Sequence, residues 1–278
     1  MGKSGAGKTS MRAMIFSNYG AVDTRRLGAT MEIEHSTVPF IADLQLNIWD
    51  CGGQTRFMDN YVNEQRYHVF RDAEVLIYVF DIESRDQSSE FVYYQEIINC
   101  LASCSPNAKI LTNYKESLEP LTHPFKPVFY ATTIWNFTLY RAWSDIANKL
   151  VPNIGLIESQ LQKFGTLCGA SQVVMFEKST FLVISYIQEN SDLESNHEKF
   201  VQVSETIKSY RVACKKRLTH FVSVRIRNGP FSMFIEPFTS TTYILVVVND
   251  PDVEPAVVKL NIDSAREYFV NLADTRTE

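Results

Sequence analysis

The stretch Gly2-Lys3-Ser4-Gly5-Ala6-Gly7-Lys8-Thr9 decides the fold, because it matches the phosphate-binding pattern G-x-x-x-x-G-K-[ST] at every position. The three small residues at positions 5–7 let backbone N–H groups close around a phosphate without interference from side chains. A helix predicted over residues 8–19 follows, and its N-terminal N–H groups favour an anion. Lys8 would reach the β- and γ-phosphates of a nucleotide, and the Thr9 hydroxyl would ligate Mg²⁺. The alternative is a glycine-rich turn that only opens a helix.

The position of this motif in the chain is unusual. A phosphate-binding loop should follow a buried strand, yet here the motif begins at residue 2. We therefore expect that the printed sequence starts inside a longer protein. The alternative is that the first strand of the sheet is contributed in some other way.

A second group of candidate residues lies at the end of a predicted strand. Apolar and polar residues alternate over 44–48, and Trp49-Asp50-Cys51-Gly52-Gly53-Gln54 follows directly. Asp50, at the carboxyl end of the strand, can hold Mg²⁺ through a water molecule. Gly53 allows its backbone N–H to approach a γ-phosphate, and Gln54 can orient an attacking water.

A third motif, Arg25-Arg26-Leu27-Gly28-Ala29-Thr30, lies between the first helix and the next strand, and Thr30 can close over the metal when a γ-phosphate is present. In this order the three motifs resemble those of a small GTPase. The motif Trp-Asp-Cys-Gly-Gly-Gln resembles that of the Rag/Gtr branch of small GTPases. Within this branch, the chain is more similar to the RagA/RagB (fungal Gtr-one) type than to the RagC/RagD type. The resemblance continues through three further segments, Val75–Asp81, Thr132–Trp135 and Phe176–Ile184.

The resemblance implies a role for each matching residue. Nucleotide contacts would come from Ser4, Gly5, Ala6, Gly7, Lys8, Thr9, Ser10, Thr24, Thr30, Gly53, Thr133 and Ile134, the last two in the loop that backs the guanine ring. The metal would be held by Thr9, Thr30 and, through water, Asp50. Gln54 would be the catalytic glutamine. The implied ligands are GTP or GDP with Mg²⁺.

The chain departs from the small-GTPase pattern at the guanine-reading motif. That motif, Asn-Lys-x-Asp (His-Lys-Met-Asp in this branch), should follow the strand that begins near Ile110, but Leu111-Thr112-Asn113-Tyr114-Lys115 stands there. Only 17 residues separate Ile110 from Val128, too few for a strand end, a base-reading loop, a helix and a return. We expect that residues are missing from the printed sequence. The alternative is a degenerate base site with weakened guanine selectivity.

The predicted elements divide the chain into an α/β domain and an α+β domain, with a boundary in the Pro- and Gly-containing segment 151–155. The resemblance implies a Ras-like P-loop GTPase domain over residues 1–152 and a roadblock/longin-like dimerisation domain over residues 153–278. In the first, helices (8–19, 61–71, 88–103, 137–150) alternate with strands (31–40, 44–50, 73–81, 127–131), which indicates a mostly parallel sheet. The second follows the order αββαβββα, with helices 156–169, 199–218 and 256–272 and strands 173–177, 181–187, 221–227, 231–236 and 243–248.

The composition excludes several classes of protein. The 278 residues carry 27 Lys and Arg against 32 Asp and Glu, a net charge of −5, which argues against a nucleic-acid binder. A hydrophobic share of 45% excludes a disordered chain, and no apolar run reaches the roughly 20 residues of a membrane span. Five cysteines without CxxC spacing predict free thiols in a reducing compartment. We expect no direct membrane anchor, because Ala6 replaces the Ser or Thr of a myristoylation signal and no prenylation cysteine ends the chain.

The residues and the resemblance together predict a switch that hydrolyses GTP. Hydrolysis should be slow without an activating protein, because no arginine in the chain is an obvious arginine finger. The resemblance implies a heterodimer with a RagC/RagD-like subunit through the C-terminal domain, with a Ragulator/EGO-type scaffold, a GTPase-activating complex and the target-of-rapamycin (TOR) kinase complex as further partners. It implies a cytoplasmic protein that partners recruit to the lysosomal or vacuolar membrane, where it relays amino-acid sufficiency. Two alternatives are a metabolic P-loop kinase, for which lid arginines are not visible, and a non-hydrolysing nucleotide-binding scaffold.

Overall fold

The computed structural model describes residues 1–113, 118, 120–188, 207, 209–210, 213–214, 221–229, 231–250 and 252–274. The chain forms two compact units. The first consists of residues 1–36 and 47–138, and the second of residues 37–46 and 139–278. The boundary between domains at residues 152 and 153 stays a prediction.

The first unit is built around a parallel sheet with the order β3–β4–β5, in which β3 is Val75–Tyr78, β4 is Lys109–Thr112 and β5 is Val128–Phe129. Apolar residues at positions 94, 97, 98 and 101 follow the spacing of one helical face and are fully buried, so α4 (Gln87–Cys104) packs that face into the core. A separate two-stranded sheet pairs β1 (Ile33–Pro39) with β2 (Gln45–Cys51), and each of these strands has residues in both units. The other α-helices of this unit are α1 (Lys8–Phe16), α2 (Thr55–Val62) and α3 (Arg66–Phe70).

Two predicted helices of this unit have different bounds in the structure. The helix predicted over 8–19 ends at Phe16, and Asn18 then takes the left-handed conformation that often follows a helix, with φ 59°. The helix predicted over 61–71 is wrong as a single element, because α2 and α3 are separated at Asn63, whose φ of −102° and ψ of −86° are not helical. The strand predicted over 73–81 is shorter, and Asp72 before it is also left-handed.

The second unit is an antiparallel sheet with helices. Its strand order is β7 (Val183–Gln188), β6 (Gln172–Glu177), β10 (Thr242–Val248), β9 (Phe231–Pro237) and β8 (Val224–Asn228). Every residue of the central strand β10 is buried, so both faces of that strand are covered. The order of elements agrees with the predicted α+β domain, and the α/β and α+β fold classes are confirmed. The elements are α5 (Thr138–Leu150, whose first residue belongs to the first unit), α6 (Ile154–Leu167), β6 (Gln172–Glu177), β7 (Val183–Gln188), β8 (Val224–Asn228), β9 (Phe231–Pro237), β10 (Thr242–Val248) and α7 (Pro255–Asp274).

The turn between β6 and β7 is held by a buried carboxylate. Glu177, the last residue of β6, accepts hydrogen bonds from the backbone N–H groups of Ser179 and Thr180. The hydroxyls of the same two residues also donate to it. Four donors satisfy a charge that would otherwise be costly to bury, so this acidic residue is structural.

Some sequence predictions fall outside the described residues. The helix predicted over 199–218 is described only at 207, 209–210 and 213–214, all of which are helical. The basic cluster at its end, residues 215–217, which we interpret as a solvated helix face, lies outside as well. Among the described helices, none combines the length and the apolar character that crossing a bilayer requires.

Candidate nucleotide site

The backbone of the phosphate loop requires glycine at two positions. Gly5 and Gly7 both have a φ of 88°, in the left-handed region that side chains disfavour. Gly7 caps the N-terminus of α1, and its carbonyl accepts the N–H of Met11 at 2.9 Å. Lys8 therefore stands in the first turn of the helix, where free N–H groups favour an anion.

Backbone hydrogen bonds fix the loop at the edge of the parallel sheet. The Met1 ammonium donates to the Ile77 carbonyl oxygen at 2.7 Å, and the Val79 N–H donates to the Met1 carbonyl at 3.0 Å. The residue before the loop thus lies alongside β3, as the strand before a phosphate loop does. On the other side, the Ser4 N–H donates to the carbonyl of Gly53 at 2.9 Å, which joins the loop to the segment after β2.

The Lys8 ammonium lies against the loop backbone. Its Nζ donates to the carbonyl oxygens of Gly2 at 2.6 Å and Lys3 at 2.8 Å. Burial lowers the pKa of Lys8 below its ordinary value, and the nearby Asp50 carboxylate opposes this shift. A partly desolvated ammonium at a helix N-terminus is suited to charge-assisted hydrogen bonds with phosphate oxygens.

Three oxygen donors meet the requirements of a magnesium site. The Thr9 and Thr30 hydroxyl oxygens lie 2.6 Å apart, although the two residues are in different elements. Asp50 is 6% exposed, and its Oδ2 has no hydrogen-bond partner among the described residues, although the Arg12 Nε lies 3.2 Å away. Hydroxyl, carboxylate and water oxygens are the ligands that Mg²⁺ prefers, so these residues fit the metal.

A cavity of about 280 Å³ opens at this place in the first unit. The Gln54 amide oxygen at its wall is buried and has no hydrogen-bond partner among the described residues, so it is available to a water or a ligand. Leu27, Gly28 and Ala29 contribute to the wall without having been predicted. The predicted residues that line the cavity are Ser4, Gly5, Gly7, Lys8, Thr9, Ser10, Thr30, Gly53 and Gln54.

The other predicted residues do not line this cavity. The Thr24 hydroxyl donates to the carbonyl of Ala21 at 2.7 Å inside a short 3₁₀ helix, Asp23–Arg26. The Thr133 N–H donates to the Thr138 hydroxyl at 3.0 Å, which shapes the loop before α5. The predicted residues outside the cavity wall are Ala6, Thr24, Asp50, Thr133 and Ile134.

Sequence reasoning did not single out Arg12. It forms ion pairs with Asp50 and with Glu34. Arg12 follows Lys8 by four residues and therefore lies on the same face of α1, which is the signal that could have found it. Arg25 is also engaged: its guanidinium lies 5.4 Å from the centre of the Trp135 ring, in cation–π range.

The segment after β4, where a guanine-reading motif would stand, makes contacts of another kind. Asn113, directly after β4, accepts the Phe80 N–H at 2.7 Å and donates to the Phe80 carbonyl at 2.6 Å, so its amide is committed to the end of β3. The described residues between β4 and β5 contain a 3₁₀ turn, Pro120–Thr122, and no α-helix. Residues 114–117 and 119 lie outside the described part of the chain.

Comparisons with known proteins cover most of the chain. The family model described as "Gtr1/RagA G protein conserved region" matches residues 1–112 and 112–207. GTP-binding protein gtr1 of Schizosaccharomyces pombe is 42% identical over 287 residues, covering 97% of this chain and 93% of that protein. Ras-related GTP-binding protein A of Dictyostelium discoideum is 42% identical over 287 residues, covering 97% and 95%. A crystal structure of a roadblock/LC7 domain from Streptomyces avermitilis is similar at 15% identity and a TM-score of 0.32, covering 40% of this chain and 96% of that domain.

Proposed function

Because the chain belongs to the Gtr1/RagA family of G proteins and binds guanine nucleotide as a member of it, we propose that it is a molecular switch that hydrolyses GTP. One observation carries the proposal. The cavity of about 280 Å³ brings together the Lys8 ammonium, the Thr9–Thr30 hydroxyl pair and the Gln54 amide oxygen, which has no hydrogen-bond partner among the described residues. These are the groups that phosphoryl transfer to water requires for binding, charge neutralisation and orientation.

The roles of the residues follow from their places in the site. The N–H groups of the phosphate loop and the Lys8 ammonium bind the phosphates, and the Gln54 amide oxygen orients the attacking water. Thr9 and Thr30 would hold Mg²⁺ directly and Asp50 would hold it through water. A bound Mg²⁺ would neutralise negative charge on the phosphates.

The proposed switching mechanism depends on two contacts of the phosphate loop and the start of α1, one with Thr30 and one with Gly53. Thr30 lies against Thr9, and the Gly53 carbonyl accepts the Ser4 N–H. Both segments would be ordered around the γ-phosphate and released after its loss, and partner proteins would read the difference.

Exposed apolar side chains on the second unit support a protein partner. Leu167 at the end of α6 is 81% exposed, and Leu260 on α7 is 66% exposed, with Val257 one turn before it. Val257 and Leu260 are one turn apart on the same helix, so a partner protein could cover both at once. The partner would be a RagC/RagD-like subunit. A Ragulator/EGO-type scaffold would place the heterodimer at the lysosomal or vacuolar membrane, where it would signal amino-acid sufficiency to the TOR kinase complex.

Substitution of Gln54 tests the hydrolytic mechanism. We expect Gln54→Leu to lower single-turnover GTP hydrolysis, measured with an activating protein complex, by about 100-fold, because water orientation is lost. Affinity for GTP should change by less than about twofold, since leucine has a similar volume and the phosphate contacts remain.

Gln65 provides the matched control, because its amide oxygen is also buried without a hydrogen-bond partner among the described residues but does not line the cavity. Gln65→Leu should hydrolyse GTP at the normal rate. An unchanged rate in Gln54→Leu would refute the mechanism. If the unaltered protein binds GTP and never hydrolyses it with the activating complex, the non-hydrolysing scaffold is the better description.

Competition between GTP and ATP tests the base site. Asn113 is committed to Phe80, and no Asn-Lys-x-Asp sequence follows β4. We expect GTP to be preferred by about tenfold, far below the roughly 10⁴-fold discrimination of a site built to hydrogen-bond its ligand. The measurement is displacement of a fluorescent GTP analogue by each nucleotide. Equal affinities for GTP and ATP would contradict the guanine-nucleotide switch.

A further inference from the structure

A second cavity, of about 220 Å³, lies in the first unit. Gly53 contributes to the walls of both cavities. The second cavity is smaller than the roughly 300–1,000 Å³ of pockets that hold drug-sized ligands, so it suits a small ligand or a single side chain.

Two residues in the wall of this cavity each have a buried polar atom without a hydrogen-bond partner among the described residues. Glu90, in the first turn of α4, is 2% exposed. Its Oε1 accepts the Lys3 N–H at 3.4 Å, but its Oε2 has no partner among the described residues. Tyr78 is 1% exposed, and its hydroxyl is likewise without a partner in the described part of the chain. Both groups line the cavity, and unsatisfied groups of this kind are rare in folded proteins.

Two lysines lie near Glu90, but neither donates a side-chain hydrogen bond to its Oε2 in the described part of the chain. The Lys3 ammonium is paired with the Asp86 carboxylate at 2.9 Å, and the Ser89 hydroxyl also donates to Asp86. Burial raises the pKa of Glu90, although the Lys3 N–H and the charges of Lys3 and Lys8 oppose this shift. The pKa of the Tyr78 hydroxyl is also raised, mainly by burial and in addition by the nearby Glu90 carboxylate. The wall therefore offers a carboxylate oxygen and a hydroxyl to a group that carries several N–H donors.

We propose that this cavity binds an organic cation with a guanidinium head and a short apolar stem. A guanidinium presents a planar fork of N–H donors, so it can satisfy Glu90 Oε2 and the Tyr78 hydroxyl at once, whereas an ammonium is a point charge. The stem would lie against Met58 and Tyr93, which supply apolar surface to the same wall. The cation is either a free small molecule or the side chain of an arginine from a partner protein.

The position of the cavity couples it to the nucleotide site. Glu90 accepts a hydrogen bond from the phosphate loop at Lys3, and Gly53 contributes to the walls of both cavities. A cation that binds the Glu90 carboxylate would alter its hydrogen bond with the Lys3 N–H of the phosphate loop. By linkage, nucleotide and cation must then alter each other's affinity by the same factor. Binding itself does not require GTP hydrolysis, so the proposal can stand if the hydrolytic function fails.

Titration with butylguanidinium tests the site directly. The probe is added to the full chain saturated with GDP, and binding is followed by calorimetry. We expect a dissociation constant of about 1 mM, as befits a ligand of this size, and no binding of the neutral isostere N-butylurea. Equal binding of the two compounds would refute an electrostatic site.

Substitutions assign the binding to the cavity. Glu90→Gln keeps the side-chain shape and an oxygen for the Lys3 N–H, and it should weaken butylguanidinium at least about tenfold. Tyr78→Phe removes only a hydroxyl without a partner among the described residues, so it should fold normally and weaken binding about threefold. Glu83→Gln is the control, because Glu83 is exposed and does not line the cavity. Binding that both Glu90→Gln and Tyr78→Phe leave unchanged would overturn the proposal.

A peptide distinguishes the two sources of the cation. A pentapeptide with a central arginine between glycines, acetylated and amidated, is titrated in the same way. Tighter binding of the peptide assigns the site to an arginine of a partner protein, and tighter binding of butylguanidinium assigns it to a free small molecule. Absence of binding by both probes would refute the site.

Discussion

Gly53→Ala is expected to raise the dissociation constant for GTP at least about tenfold and to lower the free energy of unfolding by about 1–3 kcal/mol, the usual cost of overpacking. A Cβ at this position would lie 2.4 Å from the Gly2 carbonyl oxygen and 2.5 Å from the Ser4 nitrogen. Both contacts are with backbone, which cannot rotate away as a side chain can. The phosphate loop and the segment after β2 must separate, and the Ser4–Gly53 hydrogen bond is lost.

The measurements are titration of a fluorescent GTP analogue and denaturant unfolding of the nucleotide-free protein. Gly155→Ala is the control, because a Cβ there meets nothing within 4 Å and the residue lies in α6. It should leave nucleotide affinity unchanged and raise stability by about 0.5–1 kcal/mol through helix propensity. If Gly53→Ala binds GTP normally, the close approach of the two segments has no part in the site.

Lys8→Met is expected to weaken the binding of GTP and GDP by about 100-fold, equivalent to roughly 2.7 kcal/mol. The methionine keeps an apolar stem but removes the ammonium that now contacts the Gly2 and Lys3 carbonyls. Hydrogen bonds to charged groups are each worth about 1.5–3 kcal/mol, and Lys8 would make them with two phosphates. The readout is the dissociation constant from titration with fluorescent nucleotides.

A surface lysine separates this effect from a general loss of charge. Lys163 lies on α6 in the second unit and is exposed, so Lys163→Met changes the net charge equally without touching the cavity. Its nucleotide affinity should equal that of the unaltered protein. If Lys8→Met retains full affinity, the phosphates are not bound at this loop.

The sequence predicted the parts of the site that depend on local geometry. A phosphate loop is a short segment whose glycines set its own backbone, and Gly5 and Gly7 are left-handed as such a loop requires. Helical and alternating patterns placed most elements of both units within a few residues of their bounds. They failed at residues 61–71, where the non-helical backbone of Asn63 ends α2 before α3 begins.

Contacts between distant segments were not predictable. Arg12 forms an ion pair with Asp50, which is 38 positions away in the sequence. The Glu90 carboxylate accepts the Lys3 N–H, and the Asn113 amide is hydrogen-bonded to the Phe80 backbone. Each pairing depends on how strands and helices pack, and no spacing along the chain encodes it. The same holds for Thr24, whose hydroxyl contacts Ala21 instead of facing the cavity.

By itself the sequence determined the class of protein and the identity of the phosphate loop, because both follow from residue types within a few positions of one another. Only the tertiary structure decided which predicted residues meet around one cavity and that Gly53 must lack a side chain. It also decided that Glu90 and Tyr78, each with a buried polar atom that has no partner among the described residues, line a second cavity. The physical reason is that packing brings distant groups together and removes their water, and a buried polar atom without a partner exists only once that burial has occurred.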